Sequence, residues 1–233
     1  GDQIMEIGPG PGALTALLRP LPWKKLLLLE KDDHYAADHA ARPLEGLEVV
    51  AGDALAYPWQ SLEGPWKIAG NLPYNVASPL MWDIVWQTPD LARAVFMVQK
   101  EVAERMTAKP GSRIYGALSV AVQYYTEPQI VLDVPPRSFI PAPEVMSVVV
   151  SCRVRKEPAV AVQDEKLFFR VVKAAFGQRR KTLMNALKGG GFSKEAVRDA
   201  LEQSGIDPTR RGETLTLEEF GRLADAFAAE ENA

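Results

Sequence analysis

The chain has 233 residues, of which 47% are hydrophobic and 24% are charged, and its net charge at pH 7 is -3. This composition predicts a globular protein with room for one full domain and a smaller one, and it excludes a mainly disordered chain. The negative net charge argues against a uniformly basic nucleic-acid binder. The single cysteine, Cys152, cannot form an internal disulfide, and no apolar stretch is long enough to span a membrane, which favours a soluble cytoplasmic protein.

Seven short apolar runs, bounded by Gly, Pro and Asp, alternate with stretches of helical periodicity. The runs lie at residues 3–7, 25–29, 48–50, 66–69, 94–98, 130–134 and 145–154. This alternation predicts an α/β, Rossmann-like fold with a seven-stranded, mostly parallel sheet. A proline-rich segment joins the last two runs and is too short for a crossover helix, so we expect an antiparallel edge.

The pattern changes after Lys156, where helical periodicity replaces the apolar runs. We therefore predict a catalytic domain over 1–156 and a small all-helical domain over 157–233. Within the second domain, Ser193 is a candidate N-cap. Thr216 and Glu219 have the spacing of a capping box.

Small or acidic residues follow the first three predicted strands. Gly8 and Gly10 form a glycine-rich loop after the first strand, which allows a ligand to approach the backbone closely. Glu30, at the end of the second, would bind ribose hydroxyls, and Asp53 with Ala54 follows the third, where the carboxylate would accept from an adenine amino group. Alone, the loop is also compatible with a dinucleotide site or a plain turn, and Asp53 with a helix N-cap.

The segment Asn71-Leu72-Pro73-Tyr74 follows the fourth strand, where a sheet of this kind presents a substrate loop. The Asn71 side-chain oxygen and the Leu72 carbonyl, placed by the rigid Pro73, would accept both hydrogens of an adenine amino group and localise its lone pair on nitrogen. Tyr74 would stack on the extruded base. Alone the tetrapeptide is compatible with a turn; behind the glycine loop it indicates an S-adenosylmethionine-dependent methyltransferase without a metal.

Several longer motifs are those of a known family. They lie at residues 6–10, 71–75, 99–106, 115–119, 139–145, 175–183 and 210–215. On these motifs the chain resembles the KsgA-type ribosomal RNA adenine dimethyltransferases over nearly its whole length. The resemblance implies a class I methyltransferase fold and S-adenosyl-L-methionine as the methyl donor. It also implies a monomer that methylates two adjacent adenosines in the 3′-terminal hairpin loop of 16S rRNA, within the assembling small subunit, to N6,N6-dimethyladenosine.

The resemblance also implies roles for individual residues. It gives Gly8, Glu30, Asp53 and Asn71 cofactor roles, and it places Phe139 against the target base opposite Tyr74. From the residues alone, Phe139 is equally compatible with a core position. Members of the family carry a segment before the first strand that closes over the cofactor, so we expect the natural chain to include residues upstream of its first glycine.

A basic run without acidic residues extends from Lys166 to Lys188. Its members are Lys166, Arg170, Lys173, Arg179, Arg180, Lys181 and Lys188. We interpret this run as a phosphate-binding face, with a solvated helix surface as the alternative. Arg210 and Arg211 would extend the face, and Lys100 would lie near the mouth of the active site.

Three alternatives to a small-subunit enzyme are open. The first is the related enzyme that methylates one adenine of large-subunit rRNA and confers antibiotic resistance. The second is a non-catalytic RNA-binding assembly or transcription factor with this fold, which the intact segment 71–74 disfavours. The third is a nicotinamide dehydrogenase, which is disfavoured because no proton-transfer residue accompanies the glycine loop.

Overall fold

The computed structural model describes residues 1–73 and 76–231. Its internal contacts divide the chain into two compact units, one of residues 1–104 with 126–155 and one of residues 105–125 with 156–233. The first unit contains the sheet and the second is helical. The change of fold near residue 156 follows the change of sequence pattern, but the segment 105–125 belongs to the helical unit and not to the domain predicted over 1–156.

A single seven-stranded sheet forms the centre of the first unit, as the alternating pattern predicts. Its strands are β1 (Gln3–Ile7), β2 (Lys25–Glu30), β3 (Leu47–Ala51), β4 (Trp66–Asn71), β5 (Leu91–Gln99), β6 (Thr126–Val134) and β7 (Ser147–Val154). The strand order is β3-β2-β1-β4-β5-β7-β6. Neighbouring strands from β3 to β5 pair in parallel, whereas β7 is antiparallel to both β5 and β6. The predicted mostly parallel sheet with an antiparallel edge is confirmed.

Helices accompany the parallel strands of this unit. They are α1 (Thr15–Leu18), α2 (Asp33–Ala40) and α3 (Ala77–Gln87), and α4 (Lys100–Met106) begins in this unit and crosses the division after residue 104. The four leucines of β2, 26–29, are all buried, as expected for a strand in the interior of a parallel sheet. Asp32 caps α2 by accepting hydrogen bonds from the backbone N–H groups of His34 and Tyr35.

At the antiparallel edge, β7 continues the buried core. Cys152 lies in β7, where it is buried and pairs in register with Ala94 on one side and Pro128 on the other. Burial raises the pKa of the Cys152 thiol to about 12, so this thiol is inert in neutral solution.

The second unit is a cluster of helices. They are α5 (Ala117–Tyr125), α6 (Glu165–Gly177), α7 (Leu183–Gly189), α8 (Lys194–Ser204) and α9 (Leu217–Glu231). The Ser193 hydroxyl accepts from the N–H of Ala196, which starts α8 as predicted. Thr216 and Glu219 exchange the reciprocal hydrogen bonds of a capping box, so that prediction is also confirmed.

Aromatic contacts explain why residues 105–125 join the helical unit. The Tyr124 ring lies 4.8 Å, centroid to centroid, from that of Phe168. The hydroxyls of Tyr124 and Tyr125 donate to the two carboxylate oxygens of Glu165 at 3.2 and 2.9 Å. These contacts tie α5 to the first turn of α6, which lies some forty residues later in the sequence, and no local pattern predicts them. Among the described residues, no helix has the length and apolar character needed to cross a membrane.

Candidate active site

The carboxyl ends of the first four strands lie side by side at one edge of the sheet. Ile7, at the end of β1, pairs with Leu29 of β2 and with Gly70 of β4. Glu30 pairs with Ala51 at the end of β3. The segments that follow these strands therefore meet at one edge, where parallel α/β sheets bind their ligands.

The glycine loop after β1 has an open surface. Gly8 and Gly10 have φ values of +63° and +50°, a conformation that residues with a side chain rarely adopt. Apart from the adjoining residues, a Cβ atom added at either position would meet no atom of the described residues within 4 Å. The glycines are therefore required by the backbone conformation, and the space above them is free to receive another group.

The carboxylate of Glu30 holds this loop. Its Oε2 accepts from the N–H of Gly10 at 2.8 Å, and its Oε1 accepts from the N–H of Asp32 at 2.9 Å. The residue is only 6% exposed. An ionised carboxylate has about four acceptor positions, so Glu30 can bind hydroxyl donors while it keeps both of these bonds.

A second buried carboxyl group, which the sequence analysis missed, lies two residues before the glycine loop. Glu6 in β1 is 2% exposed, and its Oε2 accepts from the Thr15 hydroxyl at 2.7 Å. Burial raises the pKa of Glu6 to about 7, and the nearby Glu30 carboxylate adds to the increase. The signal in the sequence was the position of Glu6 between the apolar residues Met5 and Ile7 in a strand that is buried on both faces.

Asp53 is occupied by protein contacts. Its Oδ1 accepts from the N–H of Leu55 at 3.0 Å and caps a short 3₁₀ turn at 54–56, whereas Oδ2 lies 2.7 Å from the Lys31 ammonium. The hydrogen bond from Lys31 is the largest cause of the lowered pKa of Asp53, and the bond from the Leu55 N–H adds to it. The N-cap interpretation thus describes the contacts of this residue. The neighbouring Ala54, half-buried, accepts at its carbonyl from the Trp59 indole N–H at 3.1 Å.

The substrate loop begins at the end of β4. A Cβ added to Gly70 would lie 2.7 Å from the Ile7 carbonyl oxygen, so β4 needs a glycine here to lie this close to β1. Asn71, the last residue of β4, is exposed, and the buried Leu72 donates its N–H to the Met97 carbonyl at 3.1 Å. The pairing of β4 and the hydrogen bond of Leu72 therefore fix the backbone at the two predicted acceptors, the Asn71 side chain and the Leu72 carbonyl.

A cavity of about 300 Å³ lies beside this loop. Its lining residues are Asn71, Leu72, Pro73, Phe139, Pro141 and Pro143. The structure therefore brings Phe139, from the segment between β6 and β7, to the same cavity as Asn71, and the half-buried ring is not a core side chain. Tyr74, the predicted stacking residue, lies outside the described residues.

The exposed basic residues of the predicted phosphate-binding run lie on two helices and on the loop between them. The residues on the helices are Lys166, Arg170 and Lys173 in α6 and Lys188 in α7. Arg179, Arg180 and Lys181 are all exposed and lie between α6 and α7. Arg179 donates to the backbone carbonyl of Arg113, and its Nε lies 3.8 Å from the Glu213 carboxylate. The alternative of a solvated helix surface therefore does not apply to these three residues, because α6 ends at Gly177 and α7 begins at Leu183.

Arg210 differs from its neighbour. The Arg210 guanidinium makes a two-pronged ion pair with Glu219, at 2.5 and 2.9 Å, and donates to the Thr214 carbonyl at 2.7 Å. The fork of donors is used to hold the start of α9, and the role of Arg210 as a phosphate contact stays a prediction. Arg211 is exposed.

Lys100 belongs to the first unit. It is exposed at the start of α4, and its N–H donates to the Met146 carbonyl at 3.0 Å. Within residues 1–73 and 76–231, no group of three or more His, Cys, Asp or Glu side chains could hold a metal ion.

Comparison with known proteins matches residues 1–229 to the family described as ribosomal RNA adenine dimethylase. The ribosomal RNA small subunit methyltransferase A of Nitratidesulfovibrio vulgaris is 49% identical to this chain over 235 residues, which cover 97% of the chain and 86% of that protein. The protein of the same name from Moorella thermoacetica is 44% identical, with 96% and 82% covered.

Solved structures with the same fold include two of similar length. A dimethyladenosine transferase from Plasmodium falciparum superposes with a TM-score of 0.79 at 27% identity, covering 96% of this chain and 88% of that one. The 23S rRNA methyltransferase ErmE superposes with a TM-score of 0.70 at 23% identity, covering 97% and 91%. At that identity the second comparison shows a shared fold.

Proposed function

The chain belongs to the ribosomal RNA adenine dimethylase family, and from this premise we propose that it methylates N6 of two adjacent adenosines in the 3′-terminal hairpin loop of 16S rRNA. The methyl donor is S-adenosylmethionine, and the products are N6,N6-dimethyladenosines. The resemblance found in the sequence motifs is confirmed at the level of the family. The relatives named above are small-subunit enzymes, which supports the choice of 16S rRNA.

The loop and carboxylates at the sheet edge fit the donor. Open space above Gly8 and Gly10 leaves room for a ligand against the backbone. Glu30 retains acceptor positions for ribose hydroxyls, and Asp53 with Ala54 would border the adenine once Lys31 moves aside. When bound there, S-adenosylmethionine supplies an electrophilic methyl group on a sulfonium.

The observation that carries the proposal is the cavity that Asn71, Leu72, Pro73 and Phe139 share at the end of β4, the strand that pairs with β1. Its polar part is the end of β4, where the Asn71 side-chain oxygen and the Leu72 carbonyl would accept the two N6 hydrogens of an adenine. Accepting both hydrogens localises the nitrogen lone pair and favours the tetrahedral nitrogen of the transition state. Phe139, with Tyr74, would hold the flipped base by stacking.

The chain needs no general base at this position. After methylation the N6 ammonium is acidic, because its lone pair is no longer available to the ring, and it releases its proton to water. Asn71 and Leu72 therefore act by holding hydrogens and orienting the nitrogen, and not by removing a proton. In the second methylation one hydrogen of N6 has been replaced, so one of the two acceptors can hold the hydrogen that remains.

RNA binding is proposed for the exposed cations of both units. In the helical unit these are Arg179, Arg180, Lys181 and Arg211, and in the first unit Lys100. Their charges would neutralise phosphates, which supplies affinity without sequence readout. We propose an assembling small subunit as the substrate, and a monomeric cytoplasmic enzyme.

Transfer of labelled methyl groups to isolated ribosomal subunits tests the proposal. Small subunits that lack the modification should accept label from S-adenosylmethionine, and large subunits should not. The Asn71→Ala variant should transfer methyl groups at least about 100-fold more slowly, because one acceptor for the developing charge is lost. Label in large subunits would favour the antibiotic-resistance type of enzyme, and binding to RNA without transfer would favour an assembly factor.

A further inference from the structure

His39 is a buried histidine that contacts the glycine loop. It lies in the last turn of α2, is 3% exposed, and has its Nε2 atom 2.8 Å from the carbonyl oxygen of Gly10. A carbonyl oxygen can only accept a hydrogen bond, so this geometry places a proton on Nε2. The imidazole is therefore a donor to the loop.

Gly10 is held from two directions. Its N–H donates to Glu30 Oε2 at 2.8 Å, and its carbonyl accepts from His39 at 2.8 Å. One anchor comes from the end of β2 and the other from α2, so the peptide groups on both sides of the Gly10 Cα are oriented by side chains. A loop residue with a positive φ would otherwise sample several conformations at little cost, because glycine lacks a side chain.

The imidazole also limits the loop sterically. A Cβ added at Gly12 would lie 3.0 Å from Cε1 of His39, and Gly12 has a φ of +94°. At Gly8 and Gly10, in contrast, an added Cβ would lie more than 4 Å from every non-adjoining atom in the part of the chain that the structure describes. The loop is thus packed against His39 at one glycine and open at the two where the ligand is proposed to approach.

We propose that His39 is a positioning residue of the cofactor site: through the Gly10 carbonyl and the contact at Gly12, it fixes the glycine loop in the conformation that receives S-adenosylmethionine. This inference rests on the proposed function. A loop that is already ordered loses less conformational entropy when the ligand binds, and this raises affinity without a new ligand contact. An apolar side chain at position 39 would fill the space but leave the Gly10 carbonyl without its donor.

The chain offers matched variants for a test. Gln at position 39 keeps a side-chain N–H that reaches about as far as Nε2 of histidine, whereas Leu keeps bulk and helix propensity but has no donor. His34 lies on the same helix with its side chain 81% exposed, and it serves as the control position. The variants are His39→Gln, His39→Leu and His34→Leu, each compared with the unaltered chain.

Titration calorimetry with S-adenosylhomocysteine is the primary measurement. We expect about tenfold weaker binding for His39→Leu, since a half-buried acceptor loses its partner, and binding within about threefold of the unaltered chain for His39→Gln. His34→Leu should bind as the unaltered chain does. With rRNA substrate, His39→Leu should raise the KM for the methyl donor by a similar factor and leave kcat within about twofold.

Several results would overturn the inference. Equal affinity of His39→Leu and the unaltered chain would remove the role, and a His39→Gln variant as weak as His39→Leu would show that the donor is irrelevant. If His39→Leu does not fold, nitrogen NMR of the imidazole decides together with His39→Gln, because a proton on Nδ1 with none on Nε2 contradicts the geometry. An unaltered chain that fails to bind S-adenosylhomocysteine would instead refute the proposed cofactor site, which is a different outcome.

Discussion

At the scale of single residues, Glu6 makes stability depend on pH. Its folded-state pKa is about 7, against 4.5 for an ordinary glutamate. Between these values the folded protein retains a proton that the unfolded chain has released, so the free energy of unfolding falls as pH rises from about 4.5 to 7 and stays lower above that. Thr15 and Glu30 are the polar groups that face this carboxyl.

Glu6→Gln should remove this dependence, because the amide does not ionise while its oxygen can still accept from the Thr15 hydroxyl. Denaturant unfolding gives the free energy of unfolding of the variant minus that of the unaltered chain. This difference should be about 2 kcal/mol larger at pH 8 than at pH 5. The exposed Glu45→Gln variant is the control and should show no such change. Parallel stability curves for Glu6→Gln and the unaltered chain would contradict the assignment.

Lys31 and Asp53 give a second prediction at this scale. If Asp53 accepts from the cofactor's adenine, the Lys31 ammonium at 2.7 Å competes for the same carboxylate oxygen. Lys31→Met should leave the unfolding midpoint unchanged, since the ion pair is exposed, and tighten S-adenosylhomocysteine binding about two- to threefold in calorimetry. Asp53→Asn removes the carboxylate itself and not its competitor, and it should weaken S-adenosylhomocysteine binding. Weaker binding by Lys31→Met would mean that the lysine itself supports the ligand.

At the scale of elements, the start of α9 separates two adjacent arginines. Arg210 is bonded to Glu219 and to the Thr214 carbonyl, and Glu219 is itself part of the capping box. Arg210→Ala should lower the free energy of unfolding by about 1 to 2 kcal/mol, because charge-assisted hydrogen bonds at the helix start are lost. Thermal and denaturant unfolding provide the measurement.

Arg211→Ala is the matched control for this prediction. Its side chain is exposed, so stability should stay within about 0.5 kcal/mol, while RNA affinity falls. The reverse pattern, with a stable Arg210→Ala protein and a destabilised Arg211→Ala protein, would be inconsistent with the contacts at the start of α9.

The elements also show what the sequence could predict. The strands follow from short apolar runs, and the caps at Ser193 and Thr216 follow from side chains that bond to a backbone three residues away. Both signals are local. The membership of residues 105–125 in the helical unit depends on the contacts of Tyr124 and Tyr125 with a helix about forty residues later. Periodicity carries no information on such a distant partner.

The predicted site has the same limit. Gly8 and Gly10 follow β1, and Glu30 and Asn71 end β2 and β4, so their common edge could be inferred from the alternating pattern and the parallel pairing. Other features depend on side-chain partners, which a sequence pattern does not fix: the two bonds of Asp53, the ion pair of Arg210, and the buried Glu6 and His39. The last two lie inside a strand and a helix, and not in the loops that follow the strands.

At the scale of the whole molecule, the acidic chain has to bind RNA through local charge. We predict that replacing Arg179, Arg180 and Lys181 together by Gln reduces the slope of log affinity against log salt by about 2 to 3. A matched triple variant, K24Q/K25Q/K67Q, changes the same number of charges at the amino ends of the strands and should leave the slope unchanged. Fluorescence anisotropy with an rRNA hairpin across a salt series measures both. Equal slopes for all three proteins would remove the loop between α6 and α7 from the RNA surface.

Nucleoside mapping tests directly whether the chain, with the segment that begins at Asn71, methylates adenine N6 in small-subunit rRNA. Unmethylated small subunits are incubated with the chain and S-adenosylmethionine, and the 3′ region of 16S rRNA is digested and read by mass spectrometry. We expect N6,N6-dimethyladenosine at two adjacent positions of the terminal hairpin loop, and its loss with Asn71→Ala. Methyl groups on another atom, at another site, or undiminished in the Asn71→Ala protein would contradict it.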